Sequence, residues 1–584
     1  MRGLISMAAA LTAAAVLLQP ASAARRTTCA TGLTCTTVGV PLDRSGRVPG
    51  TVALRVEVLP TDRTPPRGTI FLVAGGPGQG SAKTFGLGNS TSAKFFRAVF
   101  PGYTLVAFDN RGTGSSGLLE CPSAEDVAGC ASSIGSARDY YATADHVEDL
   151  EAVRQALGVD RIALYGVSYG TKLVLAYASA HPEHVDRLLL DSVVPLDRPE
   201  AFPTDELRAM PATLAAYCPL ATCKAATPDF PGDVVALANA LARKPLDAFV
   251  PSTTGRMRVQ VGAEEFLGLV FSADLSPGLD AELPAAVHAA REGVPQPLLR
   301  LDEIANASSA SEDDISFGLY LATVCHDGTF PWQPGAALAD RLGSVQAALA
   351  GAPGGLLGPF GSWAFALGSA ATCLGWPTPA AGSSLVSHPL PDVPVLALSG
   401  GLDFRTPTAW AASVVSQFPQ GRLLVVPGVG HSVLTMDPSG CSALAVISWS
   451  TGSTPAAQCP RAKPYLATVG AYPTQLPAHL GAQQTLTVAR RTLQDAEAIW
   501  FLALDSGAAA AVEPGLDGGS LFAFSRSFRL RSYAIAPRVA LSGVIHVSVA
   551  TAPIGFSGSV TVNGAGVAHG KLTLRNGTLV GKLG

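Results

Sequence analysis

The sequence predicts an α/β fold in which a mostly parallel sheet is interrupted by a long helical insertion and followed by a small β-rich segment. Three observations carry that reading. Short apolar runs recur, each emptying into a glycine-rich or polar loop, as buried strands of a parallel sheet do. About 195 residues between two of these runs carry helical apolar spacing broken by Pro and Gly. Beyond Pro460 the spacing shifts to the two-residue alternation of half-buried strands.

Taken in order, Thr36 to Leu42 and Thr51 to Leu59 read as early strands around a turn at Asp43 to Gly50. Gly68 to Val73 then feeds Ala74-Gly75-Gly76-Pro77-Gly78-Gln79-Gly80, a loop whose exposed backbone suits donation of an N–H. Tyr103 to Phe108 precedes Asp109-Asn110-Arg111-Gly112-Thr113-Gly114-Ser115-Ser116, where Asp109 and Arg111 are expected to brace neighbouring loops. Ile162 to Tyr165 runs into Gly166-Val167-Ser168-Tyr169-Gly170 and a helix-like stretch from Thr171 to Ala180. Arg187 to Ser192 is the next strand. After the insertion, Pro394 to Leu398 leads to Ser399-Gly400-Gly401-Leu402-Asp403, and Arg422 to Val426 leads to Pro427-Gly428-Val429-Gly430-His431-Ser432.

A serine at the apex of a strand–turn–helix is a candidate nucleophile, because glycines on both sides allow the sharp turn that exposes its hydroxyl. It needs a base to take its proton and an acid to hold that base's tautomer. His431 and Asp403 each follow a strand end, where sites of open parallel sheets form. The chain order Ser168, Asp403, His431 is that of the α/β-hydrolase fold. The amides of Gly76 and Tyr169 are the candidate oxyanion donors. No cofactor is implied.

The motifs Gly-Gly-Pro-Gly-Gln, Asp-Asn-Arg-Gly-Thr-Gly-Ser-Ser, Gly-Val-Ser-Tyr-Gly-Thr, Asp-Phe-Arg-Thr-Pro and Gly-Val-Gly-His-Ser together resemble the secreted tripeptidyl aminopeptidase and proline iminopeptidase family of α/β-hydrolases, over about residues 29 to 462. The resemblance implies a serine exopeptidase acting on free amino termini. Ala74 stands where proline iminopeptidases usually have a histidine, which favours the tripeptidyl-aminopeptidase-like branch. In the family a Cys-x-Asp/Glu segment occupies the position of Cys325-His326-Asp327, so Asp327 is preferred among the candidates for binding the substrate ammonium, with Glu264 and Glu265 beside it. Trp376 is a candidate pocket wall.

Arg2, an apolar stretch from Leu4 to Leu18 and the Ala21-Ser22-Ala23 end read as a signal peptide over residues 1–23, so the mature protein is expected to be exported. Ten cysteines fit an oxidising compartment. Local spacing suggests Cys29–Cys35, Cys121–Cys130, Cys218–Cys223 and Cys441–Cys459, leaving Cys325 with Cys373. Without a CxxC pair or a zinc-spaced Cys/His cluster, no metal is expected. A net charge of −4 over 584 residues gives no footprint for nucleic acid, and no later run reaches the length of a membrane span. The partners implied are peptide substrates alone; oligomeric state is left open.

The expected organisation is a core over residues 29–195, a helical cap over 196–390, a second core part over 391–462 and a β-rich appendage over 463–584. Helical spacing falls on Asp205–Tyr217, Asp233–Ala242, Ala263–Phe271, Leu283–Arg291 and Ala336–Ala350, and a cap over the triad would admit chain ends. In the appendage, Thr487 to Leu502 reads as a helix and Val539–Val549, Ser557–Val562, Lys571–Leu574 and Thr578–Val580 as strands. For this segment, substrate gating or wall binding stands beside a plain stabilising role. The functional expectation is an exported serine aminopeptidase; an esterase or lipase-like hydrolase with the same triad is the alternative.

Overall fold

A computed structural model describes residues 27–30, 32–123, 126–198, 200–219, 221–307, 315–379, 388–473, 475–505, 507–549, 552–575 and 577–584. The expected signal peptide lies outside the described residues.

Nine strands form the main sheet: β1 (Thr27–Ala30), β2 (Leu33–Pro41), β3 (Thr51–Leu59), β4 (Gly68–Val73), β5 (Tyr103–Phe108), β6 (Ile162–Val167), β7 (Val185–Asp191), β10 (Val395–Gly400) and β11 (Gly421–Val426). Their spatial order is β1-β2-β3-β5-β4-β6-β7-β10-β11. The first three run antiparallel to their neighbours, and β5 to β11 are parallel. β4 and β10 are buried almost throughout, which explains their unbroken apolar runs. Because all six parallel strands point the same way, the loops after β4, β6, β10 and β11 gather at one edge.

Between β7 and β10 the chain builds the cap. Its helices Thr204–Tyr217, Phe230–Leu241, Ala263–Ser272 and Leu338–Ala350 lie where helical spacing placed them, within a few residues at each end, while Pro277–Arg291 starts well before the expected Leu283. Not foreseen are a hairpin, β8 (Leu246–Ser252) with β9 (Gly255–Val261), and the helices Gln296–Ala307 and Phe317–Asp327. The latter two have buried residues on nearly every side, so the polar face that would set a period is missing.

Five disulfides join Cys29 to Cys35, Cys121 to Cys130, Cys218 to Cys223, Cys325 to Cys373 and Cys441 to Cys459. The Cys325–Cys373 bridge closes the longest loop, 48 residues, and pins the helix Phe317–Asp327 to the end of the cap. A loop of that size stabilises by about 4 kcal/mol in the chain-entropy account.

The C-terminal region is a helix, Ala482–Asp505, against a seven-stranded antiparallel sheet made of β12 (Ala510–Pro514), β13 (Gly518–Phe524), β14 (Ser527–Ala534), β15 (Ala540–Ser548), β16 (Gly555–Asn563), β17 (Gly570–Arg575) and β18 (Thr578–Leu583). Sequence reading foresaw the helix and the last four strands but not β12 to β14. The β-rich appendage packs against the cap. Its core is continuous with that of the cap: Phe266, Leu283 and Leu299 of the cap share one buried cluster with Ile499, Phe528 and Leu572. Arg300 of the cap reaches Asp495 of the long helix, and Tyr533 of β14 donates to the same carboxylate.

Candidate active site

β6 ends at Val167, and the helix Tyr169–Ala180 begins one residue after Ser168. The turn forces Ser168 to φ 55° and ψ −126°, a conformation that L-residues avoid and that tight packing must hold. Packing is close enough to demand glycine: a Cβ at Gly170 would stand 2.3 Å from the Val73 carbonyl oxygen, and one at Gly75 would stand 2.9 Å from Ser168 Cβ. The Gly75-Gly76 backbone therefore lies against the serine. Tyr169 occupies the first turn of its helix, where amides lack intrahelical partners and the macrodipole is positive.

Asp403 follows β10 and is fully buried. Its Oδ1 accepts from the Arg405 and Thr406 amides, each at 2.9 Å, and its Oδ2 from the Thr406 hydroxyl at 2.6 Å. His431 Nδ1 meets the same Oδ2 at 2.9 Å. With Nδ1 so committed, Nε2 is the ring nitrogen left for chemistry. Burial opposes charge on both groups, but each stabilises the other's ion: the Asp403 carboxyl is held below the ordinary range and His431 is raised above it. Ser168, Tyr169, Gly76 and His431 line one cavity of about 500 Å³ under the cap.

Two further carboxylates hold this arrangement, and sequence reading missed both. Asp191 ends β7; it is fully buried, and its oxygens accept from the Val433 and Leu434 amides at 2.7 and 2.9 Å, just past His431. Its own carbonyl accepts from Ser168 N at 2.9 Å. One residue thus ties the serine turn to the histidine loop. Burial pushes its carboxyl up to about 6. Asp274 comes from the cap: its carbonyl accepts from His431 N at 2.9 Å, and its side chain accepts from Phe404 N at 3.1 Å and from Arg405 Nε at 3.0 Å. Burial raises its carboxyl against the pull of Arg405, and its charge adds to that of Asp403 in favouring the His431 cation. No local sequence pattern marks Asp274, because only the folded cap carries it to Asp403 and His431.

Ligating atoms of Asp274, Asp403 and His431 lie within 4.8 Å of one another. Their oxygens already serve backbone amides, Thr406, Arg405 and the imidazole, so this donor set is spent on hydrogen bonds.

The expected substrate acids fare differently. Asp327 lines the cavity but is already answered by Lys172 Nζ at 3.3 Å, by the Thr143 hydroxyl and by His326 Nδ1 at 3.6 Å. Burial would raise it, yet the His326 hydrogen bond and the Lys172 charge bring its carboxyl down to about 2. Glu264 and Glu265 are corrected: both are exposed and outside the cavity, because Glu265 Oε2 caps its own helix through Gly262 N at 3.0 Å. Trp376 is corrected too. It is 2% exposed in the cluster around Cys325 and Cys373, and its carbonyl accepts from Arg341. The tryptophan at the cavity is Trp410, stacked under Arg198 at 4.8 Å.

The cavity's unforeseen acid is Glu206, in the first turn of the helix Thr204–Tyr217. Burial pushes its carboxyl up to about 7 despite Arg198 nearby, and it has no ion pair within 4 Å among the described residues. Its neighbour Glu200 is taken by Arg198. Asp109 and Arg111 sit as braces: Asp109 accepts from the Ala82 and Ser115 amides, and Arg111 forks onto Asp149 at 2.6 and 2.7 Å.

Residues 68–217 match the family model described as alpha/beta hydrolase fold, and residues 359–459 match the one described as TAP-like protein. The chain has the α/β-hydrolase fold. Among curated proteins it is 29% identical over 189 residues to a tripeptidyl aminopeptidase of Streptomyces coelicolor, covering 27% of this chain and 35% of that protein. It is 33% identical over 129 residues to a proline iminopeptidase of Xylella fastidiosa, covering 22% and 33%. The hydrolase thus spans about a third of the length of the relatives it matches. A solved proline iminopeptidase of Mycobacterium smegmatis, 15% identical, aligns over 71% of this chain and 99% of that one with a TM-score of 0.30.

Proposed function

We propose that this hydrolase is an exported serine aminopeptidase that releases short peptides, up to tripeptides, or single residues from free amino termini. His431 takes the Ser168 proton as Oγ attacks the scissile carbonyl carbon, and the Gly76 and Tyr169 amides receive the oxyanion. His431 returns the proton to the leaving amine. Water then attacks the acyl-enzyme with His431 again as base, and Asp403 holds the imidazole throughout. Export is supported by the signal-like amino terminus and the five disulfides.

One observation carries the peptide-terminus reading. The cavity that holds Ser168 and His431 also holds Glu206, an acid without a cation of its own. A substrate ammonium would supply that cation, and pairing it would draw the carboxyl back toward the ionised form. Asp327, with Lys172 already beside it, instead sets the cavity wall through Thr143 and Tyr169.

The experiment is a matched panel of peptides with free and acetylated amino termini, alongside a small neutral ester. Acetylation leaves the acid unpaired and should cost about 2–5 kcal/mol in kcat/KM. Equal rates on free and blocked peptides would remove the aminopeptidase reading and leave an esterase-type hydrolase.

A further inference from the structure

The C-terminal sheet has two faces of opposite character. Its inner face, with Leu530, Ile545, Val560 and Leu572, is buried in the core shared with the cap. The outer face is polar and cationic. Pairing across strands sets Arg529 beside Val544, Val544 beside Ser559 and Ser559 beside Thr573; one row away, Ser542 adjoins Thr561, Thr561 adjoins Lys571 and Lys571 adjoins Lys582. Serine and threonine hydroxyls of β15 to β17 floor a shallow trough of about 670 Å³, with His546, Lys571 and Arg575 along its sides. On β13 and β14, Arg531 stacks on Phe522 at 4.7 Å, and the Phe524 ring is half exposed.

The charge is one-sided. No Asp or Glu follows Asp517, whereas seven Lys and Arg do, so the rest of the chain is more acidic than its overall −4. None of Arg529, Arg531, Lys571, Arg575 or Lys582 has a carboxylate within 4 Å among the described residues. A face kept polar only for solubility mixes both signs. The fold does not need these residues either, since the inner face does the packing.

We propose that this outer face binds a linear acidic polysaccharide. Uncharged hydroxyl rows match sugar hydroxyls, the half-exposed Phe524 ring of β13 offers a surface for a sugar ring, and the cations answer carboxylates recurring along a chain. The spacing selects against nucleic acid. Strands lie about 4.8 Å apart, so Arg529 stands roughly 14 Å across the sheet from Lys571, whose cross-strand neighbour is Lys582. Duplex DNA presents a charge about every 1.7 Å, which a hydroxyl floor would leave unanswered. Binding here does not depend on the catalytic reading.

Retention of the full chain by polygalacturonate, with neutral dextran as control, tests the proposal at low salt. The R529E/K571E/K582E variant should bind about tenfold more weakly or worse, since three exposed pairs are lost and reversed. R529Q/K571Q should fall between. The control R63E/R243E/K244E carries the same change in net charge elsewhere and should stay within about twofold of the parent. Ester hydrolysis by all variants should be unchanged, which confirms their fold. Equal loss in the control, no retention of the parent, or tighter binding to duplex DNA or to anionic phospholipid vesicles at matched charge would overturn it.

Discussion

Two buried charge networks in this protein are built from nearly the same parts and do different work. At the proposed triad, Asp403 and Asp274 surround His431, with Arg405 on Asp274. Between the cap and the C-terminal region, Asp495 and Glu282 surround Arg300, with Tyr472 and Tyr533 donating to the carboxylates. Burial raises Glu282 well above its ordinary range, with Asp495's charge adding to the effect, and it raises both tyrosines; the Asp495 charge outweighs burial to hold Arg300 as a cation. The first network contains an imidazole and opens on a cavity; the second contains none and is sealed within the shared core. Perturbed ionisation alone does not mark a reaction centre. A group that titrates where substrate can reach it does.

The sharpest way to separate the two networks is to cut each at its centre. Ser168→Ala should remove turnover by about 10⁶-fold and abolish fluorophosphonate labelling while leaving thermal unfolding nearly unchanged. Asp495→Ala should do the reverse: it strands the Arg300 cation in the core and should cost about 3–5 kcal/mol of stability, read by denaturant unfolding, with labelling of the folded fraction retained. Labelling at another serine in the first variant, or undisturbed stability in the second, would erase the contrast.

Asp403→Asn comes next, with an expected fall of about 10⁴-fold in kcat through loss of the tautomer that puts Nε2 toward the serine. Near-parental activity would mean that the triad acid lies elsewhere. Asp191→Ala should lower kcat by about 10²-fold with a smaller change in KM, because the histidine loop loses the acceptor of two amides while the cavity wall stays in place.

The smaller effects are read in pH. His431 must be neutral to act, and the charges of Asp403 and Asp274 raise its range. Asp274→Asn should therefore move the acid limb of kcat/KM to lower pH, and a shift upward would show that Asp274 does not act on the imidazole through its charge. Glu206, pushed up to about 7, is neutral below that value and charged above it. For free-amine peptides KM should accordingly fall as pH rises through about 7, while KM for acetylated peptides stays flat. Glu206→Gln should abolish the difference.

How much of this was legible in the sequence follows from how local each feature is. Ser168, Asp403 and His431 each sit within a few residues of a strand end, so the run and the turn motif announce them together. Asp274 and Glu206 announce nothing, because one ends a cap helix and the other begins one, and only the packing of the cap turns them inward. Glu264 and Glu265 misled for the opposite reason: both stand exposed at a helix start, where Glu265 caps the helix's own Gly262 amide. Strands β12 to β14 escaped because glycines and exposed Arg and Phe interrupt their alternation. The β-rich appendage was legible as a change of period, but a change of period does not reveal that its buried surface runs on into the cap.

That shared core decides what the protein can survive. A protease cutting in the stretch after residue 462 would strip the cap of the surface that Ile499 and Phe528 cover, and the roof over Ser168 would be left greasy and unsupported. The trimmed hydrolase would be expected to clump instead of working faster. For the same reason the roof cannot swing as a light flap; any opening wide enough to pass a folded protein would have to carry a seven-stranded sheet with it. Such a doorway fits the proposed action on loose chain ends.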